Sequence, residues 1–117
     1  MLSLPPSVRI FLCLPAADMR RSFDGLKMMA EKIILQDPFS GHLFVFANKR
    51  RDRVKVLYWD GDGYAIWYKR LEAGTFAFAE SGSGGVEIEA SRLMLILGGI
   101  DLAGSRRRRR YVRMDRP

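Results

Sequence analysis

The chain has 117 residues, 48% of them apolar, with one cysteine and a net charge of +7. That length allows one modest core and no second domain, and the lone Cys13 excludes a disulfide framework or a thiolate metal cluster. No apolar run nears the ~20 residues of a membrane span, and the charge is uneven: residues 105–117 hold seven arginines and one aspartate, leaving the remainder close to neutral.

Met1 to Pro6 reads as a proline-ended leader. Val8 to Leu14 is too short for a secretory signal, carries Arg9 and lacks a basic region ahead of it, so a cytoplasmic setting is expected. The alternation there suits a strand with one face fully buried and the other partly so. Asp18 follows Pro15-Ala16-Ala17 and is expected to cap a helix running to about Gln36, its carboxylate accepting from unpaired backbone N–H groups. Met19, Phe23, Leu26, Ala30 and Ile33, at steps of four and three, form one buried stripe of that helix. Arg20, Arg21, Asp24, Lys27, Glu31 and Lys32 lie opposite, and Gly25 within the helix implies a strand or partner pressed against it.

Asp37 to Gly41 is turn chemistry, and His42 to Phe46 is a second strand. Asn48 to Arg53 is a basic connection returning the chain as a hairpin. Val54 to Trp59 and Tyr64 to Arg70 follow as strands joined by Asp60-Gly61-Asp62-Gly63, where Asp-Gly supplies the positive φ of a tight turn. Symmetric closure sets Trp59 opposite Tyr64, Leu57 opposite Ile66 and Lys55 opposite Tyr68. Thr75 to Phe78 alternates as a short strand, Glu80 to Gly85 is a flexible loop, and Val86 to Ile88 is a last short strand. Arg92 to Leu97 is an apolar helix, capped near Ser91 and stopped by Gly98-Gly99. Periodicity ends beyond Asp101. Residues 1–103 are expected as one domain and 104–117 as a basic, disordered tail.

The fold expected is α+β: an antiparallel sheet of about five strands with one long helix packed on it and a short C-terminal helix. The alternative is a ferredoxin-like sheet of the RNA-recognition type, against which residues 43–46 lack the Lys/Arg-Gly start of that motif.

Several blocks in order carry a resemblance: Asp18-Met19-Arg20-Arg21-x-Phe23-Asp24-Gly25-Leu26, Ser40-Gly41-His42-Leu43-Phe44-Val45-Phe46, Lys55, Trp59-Asp60-Gly61-x-Gly63, Lys69-Arg70-Leu71-Glu72-x-Gly74-x-Phe76 and Gly99-Ile100-Asp101. Together, over roughly residues 3–101, the chain resembles the TnpB-type accessory protein of the IS66 family of bacterial insertion sequences, which is unrelated to the RNA-guided nuclease of the same name. The resemblance implies a small protein encoded beside a larger transposase, needed for movement of the element and not itself the strand-transfer enzyme. Thr75 departs from a usual basic residue and Phe78-Ala79 from a usual Trp-Pro pair, which weakens the case for a basic contact near that turn. Arg106 to Arg110 lie outside the matched region.

Asp18, Asp24 and Asp60 could be read as carboxylates of a metal-dependent nuclease subunit, but each has a plainer role as cap, solvated helix face or turn former. His42 and Cys13 alone cannot build a zinc site, and the glycines at 82, 84 and 85 lack the context of a phosphate loop. No catalytic, metal or cofactor site is therefore assigned. The functional signal lies in cations with neighbouring aromatics: Arg20, Arg21, Lys49, Arg50, Arg51, Arg53, Lys55, Lys69 and Arg70, joined by Arg106, Arg107, Arg108, Arg109 and Arg110 of the tail. Opposing this, each cation could simply pair with Asp24, Asp52 or Glu72. The leading reading is a non-catalytic accessory factor of transposition that binds transposase, element DNA or both, with no membrane contact and its oligomeric state open. A third reading is non-specific nucleic-acid binding through the arginine tail.

Overall fold

Ile10–Cys13 (β1), Leu43–Ala47 (β2) and Arg53–Trp59 (β3) carry nearly unbroken apolar runs and lie side by side at the centre of one sheet. Tyr64–Arg70 (β4) and Gly85–Ile88 (β5) form its edges, in the order β4-β3-β2-β1-β5. This is a computed structural model, and it describes residues 7–98, 100–101 and 106–107. Strands apolar on both faces need cover on both. Phe11, Phe44, Phe46 and Leu57 pack with Leu26, Met29, Ala30 and Ile34 of the first helix. On the opposite face Ile10, Val45, Val54 and Val56 pack with Phe76, Leu93, Ile96 and Leu97.

The α+β class and five-stranded sheet are as expected, but the sheet is mixed, not antiparallel. β1 runs parallel to β2, with Ile10 opposite Leu43, and the other pairings are antiparallel. A parallel pair needs a crossover of a dozen or more residues, which the helical segment between β1 and β2 supplies. The first helix is also shorter than the Asp18 to Gln36 expected. It comprises Phe23–Met29 (α1) and a π-helical turn, Ala30–Ile34. Asp18 is not its cap: the Asp18 carboxylate accepts from the Arg20 backbone N–H at 2.9 Å and from its guanidinium, so it is committed before the helix begins. Ser22 occupies the cap position without a side-chain bond. Phe23, expected in the buried stripe, is exposed, whereas Leu26 and Ala30 are buried. Among the described residues it is Arg21, not a strand, that lies nearest Gly25: a Cβ there would lie 3.1 Å from Cβ and Cγ of Arg21.

The β3–β4 hairpin has the expected register, from Trp59 opposite Tyr64 to Lys55 opposite Tyr68. Thr75 to Phe78, expected as a strand, joins no ladder. Its Phe76 N–H donates to the Arg51 carbonyl at 2.7 Å and its ring is buried, so the segment straps the sheet. Ala90–Gly98 (α2) covers the second face, and residues 100–101 pair with 106–107. The rest of the expected tail lies outside the described residues. No helix among the described residues is long and apolar enough to cross a membrane.

Candidate nucleic-acid interface

Strand direction decides which cations meet. Because Ala47 pairs with Val54 and Arg53 with Arg70, the finish of β2, the start of β3 and the finish of β4 share one end of the sheet. The 48–52 loop lies there, tied to neighbouring segments by the Leu71 N–H to Asp52 carbonyl bond.

Arg53 and Arg70 stand directly opposite each other on paired strands. Like charges so placed repel unless anions intervene. Arg70 is partly satisfied by Glu72, Nη2 to Oε1 at 2.9 Å. Arg53 makes no ion pair among the described residues, and its charge, with that of Arg50, adds to the Asn48 amide in holding the Asp52 carboxyl below its ordinary value. Lys49 and Arg50 are exposed at the loop tip, and neither makes a side-chain hydrogen bond or ion pair among the described residues.

Other candidates are committed internally. Arg51 adopts the left-handed region at φ 59 and donates from Nη1 to the Phe78 carbonyl at 3.1 Å, its guanidinium 5.1 Å from the Phe78 ring centroid. It holds the 75–80 strap down. Lys55 is 8% exposed, donates to the Met19 and Arg21 carbonyls, and lies 4.8 Å from the Tyr68 ring centroid. Through Lys55 the backbone of Arg21 is brought onto β3, while the Arg21 side chain remains exposed. Arg20 folds back on Asp18 at 2.6 Å and holds that carboxyl down at about 2. Lys69, opposite Val54, belongs to the other face. Arg106 and Arg107 take part in the short pairing with 100–101, and Arg108 to Arg110 lie outside the described residues. Among the described residues, the cations of this end without an ion pair or side-chain hydrogen bond are thus Arg21, Lys49, Arg50 and Arg53, with Lys69 on the other face.

Sequence reasoning missed a cleft of 230 Å³ beside them, lined by Leu12, Cys13, Leu14, Ala47, Lys49 and Phe78 among others. It opens where the parallel strands β1 and β2 end, the place where open α/β sheets commonly present ligand contacts. Its lining is mixed, the apolar residues standing alongside Asn48, Lys49, Arg51 and Glu80.

The carboxylates considered for metal chemistry do not converge. Asp18 is engaged by Arg20, Asp24 is fully exposed 4.0 Å from Lys27, and Asp60 is in the β3–β4 turn. Among the described residues no three His, Cys, Asp or Glu side chains come together as a metal site. His42, just ahead of β2, accepts from the Arg9 N–H at Nδ1, 2.9 Å. Burial pushes the Cys13 thiol up to about 11, far from a reactive thiolate. What the arrangement can do is neutralise phosphates.

Over residues 8–107 the sequence matches the family described as IS66 Orf2 like protein, so Arg106 and Arg107, expected outside the resemblance, fall within it. Two relatives from Sinorhizobium fredii (strain NBRC 101917 / NGR234) are similar along most of their length. Uncharacterized protein y4jC is 35% identical over 94 residues, 80% of each chain. Uncharacterized protein y4hO is 32% identical over 101 residues, 86% of this chain and 88% of the relative. No solved structure matches.

Proposed function

Since the chain belongs to the IS66 Orf2 like family, the TnpB-type accessory proteins of bacterial insertion sequences, we propose that it is a non-catalytic factor of DNA transposition acting in the cytoplasm. Its basic sheet end contacts the phosphates of element DNA, and the transposase of the same element is its protein partner. The observation that carries the DNA contact is the Arg53–Arg70 pair, two like charges set opposite each other beside exposed Lys49 and Arg50. Such a pair is relieved by an anion bridging it. Contacts of this kind give affinity and position, and they read little sequence on their own. Sequence preference then comes from the transposase.

Fluorescence anisotropy with element-end and unrelated duplexes, at two salt concentrations, tests this. The combined Lys49→Gln, Arg50→Gln and Arg53→Gln variant is expected to bind both duplexes more weakly, with a shallower salt dependence of roughly one unit of slope per lost phosphate contact. Unchanged affinity and slope would overturn the assignment of this end.

A further inference from the structure

The opposite end of the sheet has the reverse character. Trp59 and Tyr64 form the last pair of the hairpin, with ring centroids 5.1 Å apart. Phe39, from the short turn of 3-10 helix Pro38–Ser40, closes on both at 5.0 and 5.4 Å, yet stays 56% exposed. The Lys27 ammonium lies 4.7 Å from the Tyr64 centroid. Carboxylates surround this cluster: Asp24 beside Lys27, Asp60 and Asp62 in the hairpin turn, and Glu31 and Asp37 near enough to act on the Tyr64 phenol. With the Lys27 ammonium set among these five carboxylates, the named groups together repel phosphate and attract guanidinium.

We infer that this aromatic, acidic end docks the arginine-rich C-terminal segment of a second copy of the chain. Arginine suits both features, stacking on ring faces while its charge meets carboxylates. The segment Arg108-Arg109-Arg110-Tyr111-Val112-Arg113-Met114 supplies four arginines and three apolar residues. Fully extended it spans about 23 Å, enough to cross the patch. A second copy is favoured over the chain's own tail because the chain leaves the domain through α2, which packs on the face away from α1 and Lys27. Residues 100–101 also pair back with 106–107, which uses up the connecting length. The contact is head-to-tail, and it competes with nucleic acid for the tail.

Sedimentation velocity of the full chain, over a concentration series at low and high salt, reads it directly. The wild type is expected to self-associate at low salt and dissociate at high salt. Phe39→Ala, a Glu31→Gln and Asp62→Asn double variant, and an Arg108→Ser, Arg109→Ser and Arg110→Ser triple variant should each weaken association by about tenfold or more. The Glu31 and Asp62 variant changes charge without touching ring packing, so its result does not depend on Phe39→Ala folding normally. Mixing the tail variant with the Phe39→Ala variant should restore a heterodimer, since each contributes the half the other lacks. A wild type that stays monomeric at low salt, including one whose Trp59 fluorescence responds to its own tail, overturns the inference. So does self-association indifferent to the Glu31 and Asp62 changes.

Discussion

The ammonium of Lys55 lies 2.8 Å from the carbonyl oxygen of Arg21, fastening the entry of the first helix to the middle of β3. A second bond, to the Met19 carbonyl at 2.9 Å, completes the clamp. Lys55→Met keeps the apolar stem and removes both donors, leaving two carbonyls short of a partner. Urea unfolding should show a loss of about 1–3 kcal/mol, while DNA affinity stays near wild type because the ammonium is enclosed. Lost affinity with unchanged stability would mean that Lys55 serves a ligand instead.

Arg53 offers the opposite trade. Arg53→Gln removes a like-charge partner of Arg70, so the isolated domain should unfold at the same or slightly higher denaturant concentration. DNA binding should weaken, with the salt slope reduced by about one. Isothermal denaturation and anisotropy on one preparation check both halves. A variant that is less stable and binds normally would contradict the reading of this pair as a phosphate contact.

The difference between these two cations explains how far the sequence could be read. The hairpin register was legible because Asp60-Gly61-Asp62-Gly63 fixes a local turn and the flanking alternation fixes the faces. Parity alone already put Lys55 on the face of Leu57 and Ile66, which the structure shows beneath α1. A lysine between valines nevertheless reads as solvated unless carbonyls are known to await it. Those carbonyls lie more than thirty residues away, in a segment that sequence assigned to a helix beginning at Asp18. The helix start was misplaced because Asp18 satisfies the amide of Arg20 within a turn, chemistry that looks like capping in one dimension. The parallel β1–β2 pairing left no local mark, and with it the cleft stayed hidden, as did the Lys55 bonds that bring the Arg21 backbone onto β3.

Gly85 marks where the π-helical turn presses on the sheet. A Cβ there would meet Ile34 Cγ2 at 2.8 Å and its Cα at 3.1 Å. Gly85→Ala should therefore cost about 1–3 kcal/mol by overpacking. Because the clash is with Ile34 itself, combining Gly85→Ala with Ile34→Ala should cost less than the two changes separately. Thermal melts of the four proteins in this cycle decide it, and strict additivity would show that the two residues do not touch.

Cys13 should make stability fall in alkali. Its folded-state value is about 11 against an ordinary 9.0, because burial disfavours the thiolate. The contribution is fully present below pH 9 and is lost as pH rises toward 11, since the unfolded chain ionises first. Replacing Cys13 with Ala should flatten that part of the stability profile. Alkylation at pH 8 should be slow in the native protein and fast in urea, as expected for an enclosed thiol. Equal rates in both conditions would show that the thiol is open to solvent.

Tyr64 separates a ring from its hydroxyl. The ring is held by Phe39, Trp59 and Lys27, whereas the hydroxyl is enclosed and makes no hydrogen bond among the described residues. An enclosed hydroxyl without a partner carries its desolvation penalty with nothing gained in return. Tyr64→Phe keeps every ring contact and removes that group, so it should be neutral or stabilising by up to about 1 kcal/mol. Burial, with smaller contributions from Asp37 and Glu31, also pushes the Tyr64 phenol above its ordinary 10.0. Folding stability linked to that shift is present below pH 10 and is lost above it, because the unfolded chain ionises first. The advantage of Tyr64→Phe should therefore widen in strong alkali. Denaturant melts at pH 7 and above pH 10 measure both effects, and a destabilised Phe variant at pH 7 would show that the hydroxyl has found a partner.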